Sequence, residues 1–240
     1  MEAGIIEYGD KKSGSYISEY KGDIDEDGRM NGKVPQLIYL SSRREVHDMV
    51  AISENAFKGE TSLKEIKIPE TVDVIESYAF YKCSSLEQIE IPSSVRLIGR
   101  NAFCSCGSLT DLEIPYGVEY IDTYAFCGCI NLINLKIAGS VKTIGSQAFQ
   151  SCLSLKNVEI ENGVQKIEAY AFYQCRSLTN INIPNSVTYI GRGTGYGSFI
   201  GCSNLTEIKI DNTKDAIAGA PWGANNATVT WIKENENMEE

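Results

Sequence analysis

Ile91-Pro92-Ser93-Ser94-Val95-Arg96-Leu97-Ile98-Gly99-Arg100-Asn101-Ala102-Phe103-Cys104-Ser105-Cys106-Gly107-Ser108-Leu109 decides the fold, because its landmarks return at a fixed spacing of 23 residues. The Ala-Phe pair ends at Phe57, Phe80, Phe103, Phe126, Phe149 and Phe172; Phe199 follows after 27, with Ser198 in the Ala place. Three residues after the Phe come Cys83, Cys106, Cys129, Cys152, Cys175 and Cys202, while Glu60 holds that place in the first unit. A Leu column follows (Leu63 to Leu205), then alternating apolar residues such as Ile66 and Ile68 or Leu112 and Ile114, then V-x-x-I, as at Val118 and Ile121. Internal repetition at this scale governs the architecture before any other feature does.

Each column has a mechanical reading. In L-x-x-I-x-I the last two apolar residues alternate, as a strand with one buried face requires. Pro69, Pro92, Pro115 and Pro184 close that strand, because Pro cannot donate to a continuing ladder. V-x-x-I is too short for a helix and reads as a brief second strand or extended turn. A-F-x-x-C reads as one helical or 3₁₀ turn with Phe and Cys pointing inward. A 23-residue unit cannot bury its own apolar face, so the units must stack into a continuous core. At about 4.8 Å between parallel strands, seven L-x-x-I-x-I strands predict a sheet roughly 30 Å across. A 46-residue super-period is superimposed: Glu76, Asp122 and Glu168 alternate with Gly99, Gly145 and Gly191. Bulky and small coils then alternate, a pattern that nesting of neighbours and duplication of a two-repeat block explain equally well.

Bulk properties exclude several classes. A net charge of −10 with no clustered Lys and Arg argues against nucleic acid and against an anionic membrane surface. No window approaches the roughly 18 apolar residues of a membrane span, so no direct membrane insertion is expected. Met1–Glu7 lacks the regions of a signal peptide, which leaves two readings open: a cytoplasmic protein, or a mature fragment behind an added methionine. The expected organisation is a capping region with a divergent repeat over 1–51, tandem repeats over 52–210, a C-terminal cap over 211–233 and an acidic tail over 234–240. Within the first cap, Tyr16–Tyr20 and Gln36–Leu40 read as strands; in the second, Val229 and Trp231 alternate as a last strand would, with Trp222 placed to cover the apolar end.

The pattern I-P-x-S-V-x-x-I-G-x-x-A-F-x-x-C-x-S-L, clearest at Ile91–Leu109 and Ile183–Leu205, resembles the BspA-like class of leucine-rich repeats over about residues 52–210. Ala220–Ala224 followed by Ala227–Trp231 resembles a terminal unit of such proteins. The resemblance implies a leucine-rich-repeat solenoid, with a parallel sheet on one face and short strands and helical or 3₁₀ turns on the other. It also implies a bacterial surface or secreted protein whose relatives adhere to host or matrix proteins.

Several groups invite chemical readings. The six ladder cysteines read as buried free thiols; on the wider, turn side of the solenoid their Cα separation is expected to exceed the roughly 7 Å disulfide limit. Cys104 and Cys127 lie off that lattice, on neighbouring coils. With Cys106 and Cys129 they spell C-x-C…C-x-C, a superficial zinc pattern, but the repeat turns the second pair inward, away from the first. A Cys104–Cys127 disulfide, in an oxidising compartment, is the stronger alternative. Asp23, Asp25, Asp27 and Asn31 match an EF-hand calcium loop up to its ninth position, yet Val34 stands where the bidentate carboxylate belongs; an acidic Asp-Gly turn is the plainer reading. Calcium is the one cofactor considered, and otherwise none is expected. Gly191–Gly197 is glycine-rich but lacks the Lys-Ser/Thr and the helix of a phosphate loop, so it reads as a surface bulge. His47 is the only histidine, and no nucleophile–His–acid grouping assembles from core columns.

That leaves outward surfaces and a binding function without catalysis. The strand face, probed at its x positions and expected to be concave, carries acidic Glu87, Glu90, Asp111 and Glu113, then a row of Asn134, Asn157 and Asn180. The V-x-x-I edge carries Val74, Leu97, Tyr120 and Tyr189 and is more apolar, which makes it the better contact surface. The expected partner is a protein or a glycan, met by a surface or secreted module; a cytoplasmic scaffold for complex assembly is the alternative.

Overall fold

The computed structural model describes residues 7–8, 16–19, 50–192, 195–213 and 216–233. Each 23-residue unit closes one coil, and the coils stack so that identical columns lie over one another. The V-x-x-I segments, brief as they are, build the longest continuous sheet. Glu7–Tyr8 pairs antiparallel with Tyr16–Glu19, and thereafter all pairing is parallel, through Val50–Ile52, Val72–Ile75, Leu97–Ile98, Tyr120–Ile121, Thr143–Ile144, Lys166–Ile167 and Tyr189–Ile190. We call this the edge sheet.

The L-x-x-I-x-I segments form a second face, also parallel and in register, but divided into three short sheets. Glu65–Lys67 pairs with Gln88–Glu90; Asp111–Ile114, Asn134–Ile137 and Asn157–Ile160 follow; Asn180–Ile183, Glu207–Thr213 and Thr228–Lys233 complete it. The single seven-stranded sheet expected on this face is therefore interrupted, whereas the edge expected to be minor is continuous.

The turn side corrects the sequence reading. Among the described residues there is no helix, and A-F-x-x-C is not a helical or 3₁₀ turn. It is a pair of tight turns with a left-handed residue in each: Tyr78 (φ 61°) and Lys82 (φ 62°) in one coil, Asn101 (φ 55°) and Ser105 (φ 65°) in the next. Ala79 N donates to Glu76 O and Cys83 N to Phe80 O, closing the turns locally. The intervening amides of Tyr78, Phe80 and Lys82 donate instead to Arg100, Ala102 and Cys104 of the next coil. A helical turn would spend its amides within itself; positive φ at the third position of each turn rotates alternate amides outward, where the next coil's carbonyls meet them. Stacking thus satisfies the turn backbone as well as the apolar core.

That coil-to-coil ladder fixes the spacing. The buried Phe rings stack as one spine, with centroids 4.9 Å apart for Phe57–Phe80, 5.1 Å for Phe103–Phe126 and 5.6 Å for Phe172–Phe199. The turn side is not splayed, and the expectation that ladder thiols sit beyond disulfide reach fails. They remain free for another reason. Each buried thiol donates to the Phe carbonyl of the preceding coil: Cys83 to Phe57 O at 3.0 Å, Cys106 to Phe80 O at 3.2 Å, and so on to Cys202 and Phe172 O at 3.0 Å. Cys fills the column as a small apolar side chain with one weak donor. Burial pushes Cys83 and Cys152 up to about 12, so these thiols stay protonated.

The glycine super-period has a steric basis. A Cβ on Gly99 would stand 2.8 Å from the backbone of Glu76 and Ser77, and one on Gly145 2.7 Å from the carbonyl carbon of Asp122. Every second coil therefore lies against the backbone of the coil before it. Ser198, in the Ala place of the last coil, is fully buried, and its hydroxyl donates to Glu168 O at 2.7 Å. Beyond it, Trp222 closes the core at 1% exposure, donates from Nε1 to Ala218 O and meets Trp231 edge-on at 6.5 Å.

Candidate binding surfaces

Two open grooves lie on the outward surfaces, one on each sheet face. The face groove, about 500 Å³, runs across the strands of three coils and onto a fourth, lined by Asp111, Glu113, Asn134, Lys136, Asn157, Glu159 and Asn180 among others. In-register parallel strands bring equivalent side chains together, and here they pair with one another. Asn134 Nδ2 donates to Asp111 Oδ1 at 2.5 Å, and Asn157 Nδ2 donates to Asn134 Oδ1 at 2.6 Å. Hydrogen bonds from Asn134 and Thr110 hold the Asp111 carboxyl below the usual range. Lys136 bridges Glu113 at 3.3 Å and Glu161 at 3.6 Å, which raises its pKa. The amide row breaks before Asn180, whose side chain turns to its own Thr179, at the point where the face divides between two sheets. Glu87 and Glu90 are exposed on the adjoining two-stranded sheet, where Glu90 is paired in register with Lys67, and neither lines the groove.

The edge groove is different in make-up. Its volume is about 430 Å³, and Leu97, Tyr120, Asp122, Thr123, Thr143, Gly145, Ser146 and Glu168 are among its lining residues. Register stacks Val74, Leu97, Tyr120, Thr143, Lys166 and Tyr189 in one row. Val74, Leu97 and Tyr120 are therefore contiguous, while Tyr189 stands three strands beyond Tyr120 in the same row. Tyr120 is 49% exposed. Gly145 lines the depression between the acidic Asp122 and Glu168 of the neighbouring coils, and it lies close against the backbone of Ile121 and Asp122. The sequence displays that alternation; only the stacking shows that this column borders a groove beside Tyr120.

Column reading also passed over Ile130 and Leu153, 45% and 38% exposed, which follow the ladder cysteine where other coils carry Ser84, Gly107, Arg176 and Ser203. The glycine-rich insertion is tied down in part: the Tyr170 hydroxyl donates to Gly195 O, and Tyr170 lies 5.9 Å from the exposed Tyr196 ring. Cys104 and Cys127 are brought side by side on adjacent coils, near enough for each thiol to shift the titration of the other. No group of three or more metal-ligating side chains forms among the described residues, so Cys106 and Cys129 do not join the off-lattice pair. The calcium-like residues Asp23, Asp25, Asp27 and Asn31, the strand expected at Gln36–Leu40, His47 and the acidic tail lie outside the described residues. No described helix is long and apolar enough to cross a membrane.

Comparison with known proteins agrees with this architecture. The BspA type leucine rich repeat region matches in six copies, over residues 50–164 and 119–221. A leucine rich cell surface protein from Faecalibacterium prausnitzii superposes with a TM-score of 0.67 at 30% identity, covering 85% of this chain and 54% of that one, so the chain spans about half the length of that relative. A leucine rich repeat protein from T. pallidum gives a TM-score of 0.57 at 26% identity, covering 85% of this chain and 81% of its own. Comparison with curated proteins returns no match. With the repeat, the stacked coils and the family match in agreement, the chain belongs to the BspA-type leucine-rich repeat family.

Proposed function

We propose that the chain is a non-catalytic recognition module that binds a protein segment along the Val74–Leu97–Tyr120 edge and in the groove beside it. The observation that carries this reading is the half-exposed Tyr120 lining an open depression together with Asp122, Gly145 and Glu168. Aromatic side chains next to a pocket are the usual anchors of protein recognition. The acidic Asp122 and Glu168 give the groove a sign, so a segment with one apolar and one Lys or Arg side chain fits it best. The face groove offers less to a partner, because its amides and charges already satisfy one another and a ligand must displace those bonds. A glycan would use that amide row instead.

The cell-surface description of the Faecalibacterium relative supports an exported or surface-attached adhesive role; assembly of a cytoplasmic complex is the second reading. Capture from host and bacterial extracts by the immobilised chain tests the surface. Tyr120→Ala is expected to weaken capture of a specific partner about 10-fold or more, as loss of a hot-spot aromatic does, while Tyr189→Ala leaves it unchanged. Equal loss in both variants, or in neither, overturns the assignment of the edge groove. Labelling of intact cells by an antibody to the chain supports export and removes the cytoplasmic reading.

A further inference from the structure

We propose that Cys104 and Cys127 form a reactive surface dithiol, oxidised reversibly to a coil-to-coil disulfide by a low-molecular-weight disulfide of the glutathione class. The two belong to the column just after the Phe spine, where other coils carry Lys58, Tyr81, Gln150, Tyr173 and Ile200, and not to the inward ladder. Cys127 is partly exposed and Cys104, though buried, keeps 8% of its surface accessible, whereas Cys83, Cys106, Cys129, Cys152 and Cys175 are wholly enclosed.

The backbone holds the pair in register. Phe103 N donates to Ala125 O and Ser105 N to Cys127 O, both at 2.7 Å, bracketing Cys104 against its neighbour. The adjacent Phe103 and Phe126 rings are 5.1 Å apart and parallel within 2°, so one coil maps onto the next by a translation of about 5 Å. That lies inside the roughly 4.4–6.8 Å Cα separation of disulfides. The same translation leaves the Cβ atoms wider than the relaxed value near 3.8 Å. A bond formed here is strained and easily reduced, which suits a reversible site better than a permanent staple.

The surroundings favour a thiolate on one of the two sulfurs. The Cys127 thiol, and more weakly the Ser105 hydroxyl and Lys82, hold Cys104 down to about 7, against burial. The neighbouring Cys104, with burial, pushes Cys127 up. The charged and titratable neighbours are Lys82 and Tyr81 on the preceding coil and the ladder thiols Cys106, Cys129 and Cys152; the ladder thiols are held protonated by burial. In the first step the Cys104 thiolate attacks one sulfur of the small disulfide, forming a mixed disulfide and expelling one thiolate. Cys127 then gives up its proton to that thiolate or to water and attacks the Cys104 sulfur, expelling the second thiolate. Two cysteines lose two electrons and two protons, and the small disulfide is reduced to two thiols.

The test exposes the folded full chain to glutathione disulfide near neutral pH and then counts thiols after denaturation. Two of the eight cysteines are expected to be lost, mapped to a Cys104–Cys127 crosslink, and recovered with dithiothreitol. Their reaction should outrun that of the ladder thiols by more than about 100-fold and quicken as pH rises through 7, because the thiolate is the nucleophile. Cys127→Ser should stop at one glutathione adduct on Cys104. No thiol loss from the folded wild type, loss spread over the ladder, or a crosslink to any other cysteine overturns the proposal.

Discussion

The two grooves are made from the same repeat and separated by half a coil, yet they treat their polar groups oppositely. On the face, each x position meets its own counterpart one coil away, and Asp111, Asn134 and Asn157 close into a donor–acceptor chain. On the edge the 46-residue alternation breaks that self-matching: Gly145 has no side chain to offer Asp122 or Glu168, and it packs against the backbone of the preceding coil beside an open groove. A perfect repeat satisfies itself. An imperfect one leaves room for a ligand, which is why the search for a site in such a solenoid belongs at the columns where the repeat departs from identity.

The sharpest way to break that comparison is Gly145→Val. A Cβ there sits 2.6 Å from Ile121 O and 2.7 Å from the carbonyl carbon of Asp122, both backbone atoms of the preceding coil that cannot swing away. Thermal or denaturant unfolding should show a loss of about 1–3 kcal/mol, the usual cost of overpacking, together with weaker partner capture as the coils that line the groove are forced apart. A variant of unchanged stability would mean that the coils slide apart freely at this column and that the glycine does not set their close approach.

A smaller effect is expected on the face from Asn134→Ala, which removes the middle of the amide row. The side chain is exposed, so water replaces both of its hydrogen bonds, and the cost in unfolding free energy should be about 0.5 kcal/mol or less. Partner capture through the edge groove should not change. If it falls as far as in Tyr120→Ala, the face is the working surface and the comparison is inverted.

Much of this was legible in the columns. The stack, the inward Phe and Cys and the buried Trp222 follow from period and alternation. The turn side did not, because A-F-x-x-C carries no sequence mark of a left-handed residue. Tyr78, Lys82, Tyr124 and Gln174 occupy positive-φ positions that glycine would announce, as Gly128 does; only the coil-to-coil amide ladder that those residues enable compensates their cost. The thiol spacing was misread for the same reason: without that ladder, nothing indicates that the turn side is as tightly spaced as a sheet. Tyr189 and Tyr120 share one row of the edge sheet, as the column alignment predicts, with Thr143 and Lys166 between them.

The smallest expected effect bears on whether the face row is a solvated ornament or a paired element, and its pH dependence has a definite sign. Asn134 and Thr110 hold Asp111 lower in the folded chain than its ordinary value near 3.8. A carboxyl depressed on folding contributes stability that is fully present above its unfolded pKa and is lost as pH falls through the folded one. The contribution should therefore persist down to about pH 5 and fade below it. Because the group is almost fully solvated, screening limits it to a few tenths of a kcal/mol. Urea unfolding of the wild type and Asn134→Ala at a series of pH values isolates it: the gap between the two should be constant above about pH 5 and narrow under more acid conditions. A gap that widens as pH falls would show that the amide holds the protonated carboxyl, and that the row is built around a neutral Asp111 instead of its anion.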